Sequence, residues 1–485
     1  MDFLNPAKKR AHNIRLIIGY ILIAIVIGLI TSILVFQSYG YDLDRKTGSI
    51  IQNGLLFVAA QPEAANVYLN DKLYKTQNNA RLVLPSDVYR LKLTREGYRE
   101  WNKTFSLAGG SIERLVYPFL FPTKLQTQDR QAFATPTAFA TQSPSRQWMV
   151  LQQTGKFESF DVFDANDANK SPTSFTLPAN LLTASSSHKL VLVEWSTDNR
   201  HFMVEHQYTG GREFIMVDIE APEQSLNINK TFKTTPTQVT MRDKKYDHLY
   251  FYDQTSQTLN YAEVKQPVLV PVANKVLAFK SHGDDTLLYV TEDQATPGKA
   301  RVMLKDNDGV YLLREVGVSS SYLLNLARYS NKWYVAAGSV GENIVYIYKD
   351  PQSIMKQQSA GPLVPLTVLR AESPDWLEFS ANTQFITLRG GQQFTVYDAE
   401  NDRNFRYKLD QPIEAGTKPN WMDGHRLIVT SQAKMVVFDF DGLNIQTLSA
   451  NQPGITPFFD RDYKLLYNIS PTGPLTQTDL RVTAP

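Results

Sequence analysis

No cysteine occurs among the 485 residues. That excludes disulfides, thiol catalysis and cysteine-ligated zinc, so any exported part must be held by its cores alone. It also fits a bacterial exported protein better than a eukaryotic secreted one. A charge surplus is missing as well. Lys and Arg number 50 against 48 Asp and Glu, a formal net of +2, and no basic stripe of the kind a nucleic-acid binder carries is present. Nucleic acid is therefore not an expected partner. Histidine is scarce, with seven in the chain. His201 and His206 are five apart, which puts them on opposite faces of a regular strand rather than around one metal ion.

Motifs for covalent chemistry are equally thin. No phosphate-binding P-loop appears. Gly338-Ser339-Val340-Gly341 is the nearest string to a nucleophile elbow, but its serine has the wrong spacing and no helical crossovers surround it. Two Asp-Gly turns invite a calcium reading. If Gly309 is set at the sixth place of an EF-hand loop, Glu315 reaches the twelfth but Leu304 falls at the first. If Gly442 is set there, Val437 and Leu448 fill those two ligand places. A carboxylate is needed at both. Glu194, Glu205 and Glu378 lie near repeated strands, and a glycosidase pair drawn from different strands would leave no spacing signature. No catalytic, cofactor-binding or metal-binding residue is expected, and no cofactor.

Long apolar runs are absent except for one. Residues 16–36 read LIIGYILIAIVIGLITSILVF without a charge, about 21 residues, enough to cross a hydrocarbon core of roughly 30 Å. The preceding stub, residues 1–15, carries Lys8, Lys9, Arg10 and Arg15 against Asp2. By the positive-inside bias the stub stays cytoplasmic and the rest is extracytoplasmic. The run exceeds a signal-peptide h-region, and Gln37-Ser38-Tyr39-Gly40 is not an A-x-A-like cleavage site. A retained single-pass anchor in the cell membrane is expected.

After the span the pattern is all-β. Over residues 41–110, Leu55-Leu56-Phe57-Val58, Asn66-Val67-Tyr68-Leu69, Arg81-Leu82-Val83-Leu84 and Tyr89-Arg90-Leu91-Lys92-Leu93 are short, rich in β-formers and separated by turn residues such as Asn70-Asp71 and Glu96-Gly97. They predict a small β-sandwich, near the lower size for an independent core. Gln61-Pro62-Glu63-Ala64-Ala65, then Val67-Tyr68-Leu69-Asn70-Asp71, then Gly97-Tyr98 resemble the PEGA domain family over roughly residues 53–107. Ala64 stands where the family's naming tetrad has glycine, and Asp71 where the first hairpin usually has one. The resemblance implies a binding or spacing β-sandwich of bacterial surface or envelope proteins. The motif residues Pro62, Glu63, Ala64, Ala65, Gly97 and Tyr98 are structural, with no catalytic role attached. Residues 111–122, with Tyr117-Pro118-Phe119-Leu120-Phe121-Pro122, read as a rigid linker whose phenylalanines dock, or as an exposed aromatic finger.

From residue 123 to 485 a weak repeat recurs. Trp195-Ser196-Thr197-Asp198-Asn199-Arg200-His201-Phe202 has counterparts beginning at Phe379, Trp421 and Phe459, with a variant at Ser143. Each is an aromatic or polar start, a tight polar turn and an apolar strand. A further strand follows and ends in aspartate, at Asp164, Asp218, Asp398 and Asp439. The spacing of roughly 40–50 residues is that of propeller blades, about seven or eight of them over this length. Between residues 235 and 365 the pattern is weaker, with strands expected around His248, Leu287 and Trp333. Trp195-Ser196-x-Asp198 and Val437-Phe438-Asp439-Phe440-Asp441-Gly442 resemble TolB-type or WD-repeat-like propeller blades. That fold hosts binding proteins and enzymes alike. The expectation is a non-catalytic, membrane-anchored binding or scaffold protein of the bacterial envelope, its partner a cell-wall polymer or an envelope protein. The alternatives are an exported carbohydrate-active propeller enzyme and a structural spacer in an envelope complex.

Overall fold

A computed structural model describes residues 6–43, 48, 50–76, 79–133, 135–283, 285–357, 363–414 and 417–483. Asp2 of the basic stub lies outside them. The apolar run forms one helix, Pro6–Ser38, longer than residues 16–36 because Lys8, Lys9, Arg10, Ala11 and Arg15 are themselves good helix formers. Its stretch Lys8–Ser38, 31 residues, is long and apolar enough to cross a membrane, and no residue of its most apolar window is buried. The helix ends at Gly40, whose φ of +78° is the left-handed value that a C-terminal glycine takes without strain. The Gly40 N–H donates to the Gln37 carbonyl at 2.9 Å.

The chain divides into two compact units, residues 1–124 and 125–485. In the first, two four-stranded sheets follow the helix. Ile50–Val58 is central to one sheet. It pairs antiparallel with Tyr41–Leu43 and Ala80–Pro85, and parallel with Ile112–Leu115. The other sheet runs Lys72–Lys75, Asn66–Leu69, Asp87–Thr94, Trp101–Leu107, all antiparallel. Alternation does the folding: Leu56 and Val58 from one sheet and Val67, Leu91, Leu93, Trp101 and Phe105 from the other point inward to a single apolar cluster. Gly54 is required there, since a Cβ would sit 2.6 Å from Leu107 Cγ.

The expected linker at 111–122 is corrected by this sheet. Ile112–Leu115 is a strand of the sandwich, and the proline-flanked aromatics are stitched to the PEGA-like motif. The Gln61 N–H donates to the Pro118 carbonyl and the Leu120 N–H to the Gln61 carbonyl, at 2.9 and 2.7 Å. Phe119 and Phe121 are buried, with ring centroids 4.8 Å apart, so they form no exposed finger.

Among the described residues of 125–485, the strands form eight four-stranded sheets, each antiparallel. Seven are built from consecutive strands: 140–176, 188–227, 238–273, 276–317, 322–370, 376–408 and 420–450. The eighth joins Phe458–Phe459, Leu465–Ile469 and Leu475–Thr483 to Leu125–Gln131 from the start of the unit. This last pairing closes an eight-bladed propeller and leaves no large open edge. The first strands of neighbouring blades approach one another, as Val276–Ser281, Tyr322–Tyr329 and Trp376–Phe379 do in sequence, while fourth strands such as Arg403–Lys408 face solvent. Second and third strands are buried on both faces, Phe385–Gly390 throughout its length.

The repeated turn joins the first and second strands of a blade. In the hairpins opening at Ser143, Ser196, Ser380 and Asp460, the backbone N–H of that residue bonds the carbonyl five residues on. The fourth residue of each turn is left-handed: Arg146, Asn199, Thr383 and Tyr463, with φ of 59°, 59°, 61° and 55°. The turn at Trp421 is one residue shorter, the Met422 N–H bonding the Arg426 carbonyl at 2.8 Å. The weakly patterned middle supplies three of the blades, and the strands expected there are second strands, His248–Asp253, Leu287–Thr291 and Lys332–Ser339.

Candidate binding face of the propeller

The aspartates that end third strands are turn acceptors. Asp218 Oδ1 takes the N–H groups of Glu220 and Ala221, both at 3.0 Å, and Asp398 Oδ1 takes those of Glu400 and Asn401. In the second blade this aspartate anchors a larger network. Arg200 donates to Asp218 through Nε and a terminal nitrogen, at 2.8 and 2.6 Å. His201 is clamped at both ring nitrogens, Nδ1 2.6 Å from Asp198 and Nε2 3.2 Å from Asp218. Burial pushes the Asp218 carboxyl up, but Arg200, the two N–H groups and His201 overcome that and hold it below the usual carboxylate range. Both ring nitrogens face carboxylates, so the side chain is committed within the blade.

His206 stands five residues along on the opposite face, fully buried, its Nδ1 2.9 Å from Glu213. Burial raises the Glu213 carboxyl, and the hydrogen bonds from His206, the Thr183 N–H and hydroxyl, and Asn227 bring it below its ordinary value. The two histidines are not brought together. Among the described residues no cluster of three His, Cys, Asp or Glu could hold a metal ion.

Of the carboxylates weighed for glycoside cleavage, Glu194 and Glu205 stand on the paired first and second strands of the second blade, opposite Met203 and Val191, each tied to its own cation. Glu194 pairs with Lys244, Glu205 lies 3.1 Å from Arg212, and Glu378 stands on the first strand of the sixth blade. Gly338-Ser339-Val340-Gly341 is the connection between two strands of the fifth blade, and the Ser339 hydroxyl accepts from the Glu342 N–H at 3.2 Å. Asp306 and Gly309 close a hairpin, with Asp306 Oδ1 accepting from the Asp308 and Gly309 N–H groups. Gly442, at φ +79°, packs where a Cβ would strike the Tyr407 ring at 2.5 Å. Each of these motifs is a turn.

Among the PEGA-like residues, Ala64 has φ 68°. That left-handed value explains why the family has glycine there. Asn70 and Asp71 both have positive φ, 48° and 62°, as a two-residue type I′ hairpin requires, so the turn is kept without glycine. Gly97 has φ +79° and its carbonyl accepts from the Thr123 N–H at 2.9 Å. Arg95 reaches the Glu63 carbonyl and covers the Tyr98 ring at 4.8 Å.

A concavity of the propeller lies elsewhere, where chain segments enter the first strands of the sixth, seventh and eighth blades. Trp376, Thr417 to Asn420, Ile428 to Thr430 and Gly454 to Pro457 enclose about 390 Å³. Its walls are tied from behind. Arg389 forks onto Asp375 and donates to the Thr417 carbonyl at 3.2 Å. Fully buried Asn451 donates to the Thr430 hydroxyl at 3.0 Å and the Ile455 carbonyl at 2.9 Å. The lining presents hydroxyls, an amide, the Lys418 ammonium and the largely buried Trp376 indole, and among the described residues it contains no carboxylate or imidazole. Such a surface can stack on, hydrogen-bond and charge-pair with a ligand, but holds no paired acid and base. Sequence reasoning named none of these residues. Three connections spread over 376–457 meet here, and no local spacing marks such a meeting.

Residues 53–115 match the PEGA domain family. No curated protein matches the chain in sequence. Solved structures similar to it include the Cps50 (Swd1) β-propeller domain of Myceliophteria thermophila, at 13% identity over 67% of this chain and 100% of that one, with a TM-score of 0.39. Kluyveromyces lactis Hsv2 is similar at 10% identity over 65% and 99%, with a TM-score of 0.40. A functionally unknown protein from Desulfotomaculum acetoxidans is similar at 10% identity over 65% and 95%, with a TM-score of 0.38. Residues 53–115 are thus a PEGA domain, and the unit that follows is a β-propeller by the strand order of its sheets.

Proposed function

We propose that this protein is a single-pass, membrane-anchored binding or scaffold protein of the bacterial envelope, with its N-terminus cytoplasmic, its body extracytoplasmic and no catalytic activity. The PEGA domain spaces the propeller from the bilayer, and the propeller takes a cell-wall polymer or an envelope protein at the face holding Trp376 and Lys418. The observation that carries the binding reading is the lining of that concavity: an aromatic ring, hydroxyls and one ammonium without a carboxylate. The anchor reading is supported by the unburied apolar helix and by Tyr39 and Tyr41 exposed at its end, where membrane interfaces favour tyrosine. A carbohydrate-active enzyme would need a carboxylate pair across its ligand, which this concavity does not offer.

The test is co-sedimentation of the detergent-solubilised full chain with isolated cell walls, against a salt wash and a heat-denatured control. Saturable pelleting that Trp376→Ala weakens at least tenfold is expected, the scale of losing a central aromatic anchor. Absence of pelleting would sink the wall-polymer version and direct the search to crosslinking in the membrane.

A further inference from the structure

The register of the first sheet of the PEGA domain sets two rows of side chains on its outer face. Leu55 stands opposite Val83 on one side and Ile112 on the other, and Phe57 stands likewise between Arg81 and Arg114. Leu56, Val58 and Leu84 point inward to the core, which fixes these rows as outward. They are open: Val83 is 63% exposed, Ile112 57%, and Val116, further along the same face, 55%. The Arg114 guanidinium lies 5.2 Å from the centre of the Phe57 ring. The face is thus an apolar row backed by an Arg-Phe-Arg row. Among the described residues, the one carboxylate the register sets on this side is Asp42, opposite Ile51.

The sheet is tethered directly to the end of the helix, which keeps this face close to any bilayer the helix spans. The Asn53 N–H donates to the Gly40 carbonyl at 2.7 Å, and the Gln52 amide to the Tyr39 carbonyl at 3.3 Å. The apolar row is two residues beyond Asn53, about 7 Å at strand rise, and the arginine row about 13 Å. The headgroup layer is roughly 5–8 Å thick on each side of the hydrocarbon core, and long arginine side chains reach back towards phosphates while their stems stay apolar. A second copy would bring arginine rows together, which opposes self-association through this face.

We infer that this face docks on the bilayer, its apolar row at the headgroup boundary and Arg81 and Arg114 on anionic lipid phosphates. This rests on the helix being a membrane anchor. A basic residue near an anionic surface gains about 1 kcal/mol, or roughly fivefold in the docked population.

The test uses the full chain in lipid nanodiscs. Because the chain lacks cysteine, single thiols can be placed and spin-labelled at Val83→Cys, at Val88→Cys on the other sheet, and at Ile25→Cys in the helix. Collision with oxygen against an aqueous nickel chelate reads lipid contact. In phosphatidylglycerol discs the Val83 label should be shielded from nickel at least fivefold more than in phosphatidylcholine discs. The Val88 label should be equally open in both, and Arg81→Glu with Arg114→Glu should abolish the difference. If Ile25 reads as bilayer-buried while Val83 is as open to nickel as Val88, docking is wrong and the anchor stands. If Ile25 is itself open to nickel, the anchor reading fails and docking falls with it. Shielding of Val83 that follows protein concentration rather than lipid charge would mean a second copy covers the face, and would overturn the proposal.

Discussion

The PEGA domain and the propeller are both all-β, yet they stabilise their interiors by different means. Among the described residues, every buried polar or charged side chain belongs to the propeller, beginning with Thr137. The sandwich interior is built of aliphatic and aromatic side chains, and the Tyr89 hydroxyl donates to the Pro85 carbonyl at 2.9 Å. A two-sheet sandwich has one inward face per sheet, so simple alternation suffices. A propeller blade is covered on both faces, and its turns are drawn into the structure with their polar atoms. Those atoms must find partners. Asp218, Glu213, Asn451 and Arg389 supply them.

The comparison breaks most sharply at Trp101, among the largest fully buried side chains and part of the sandwich core. Trp101→Ala should cost about 3–5 kcal/mol, most of the stability of a domain this small. Calorimetry should lose the sandwich transition and keep the propeller transition. Loss of both would show that the two units do not fold separately. In the propeller the corresponding weak point is polar. Asp218→Ala strands His201, Arg200 and two N–H groups, and should cost about 2–4 kcal/mol, read as a lowered propeller Tm. Val217→Ala, on the same strand, tests whether a neighbouring apolar truncation does as much.

Acid should separate the units further. Asp218, Glu213 and Asp198 are held below their ordinary carboxylate values in the fold. Their stabilisation is present above the unfolded pKa and is lost as pH falls through the folded one. Asp460 works oppositely: burial raises its carboxyl despite the Leu465 and Lys464 N–H groups, so its contribution is present at low pH and lost as pH rises. The lowered groups, which also include Asp253, Asp285, Glu315 and Asp462, outnumber the one raised, and the propeller Tm should fall more steeply than the sandwich Tm between about pH 5 and pH 3. Parallel slopes would remove the polar network from the account. The smallest effect is expected at Ala64→Gly. Relief of the left-handed φ is opposed by the greater freedom of glycine in the unfolded chain, leaving a gain between zero and about 1 kcal/mol. A lower sandwich Tm would contradict the left-handed assignment at residue 64.

Much of this architecture was legible locally. The helix is visible because twenty or so apolar residues in a row have few other uses. The sandwich strands are visible because one covered face imposes a period of two, as in Tyr89, Leu91 and Leu93. The blade hairpins are visible because Ser196, Asp198 and Asn199 are the residue types that tight turns favour. The blades between 235 and 365 were obscure for a physical reason. Their first hairpins depart from the repeated turn, with a short 3-10 segment at Arg242–Lys244 and a two-residue turn at Ser330-Asn331, and an outer strand such as Gln266–Ala273 carries two prolines and a shifted register.

The sequence by itself therefore determined the membrane-length helix, the all-β character of everything after it, the PEGA motif and the repeated turn, because each depends on residues near one another in the chain. The tertiary structure alone decided the blade count, the closure, the concavity at Trp376 and the amphipathic outer face of the sandwich. Closure pairs polar Leu125–Gln131 with Leu475–Thr483, and the Thr127 and Thr478 hydroxyls meet at 2.8 Å across 351 positions. No local pattern encodes such a meeting. It exists because seven consecutive blades bring the two ends of the unit together and leave one sheet a strand short.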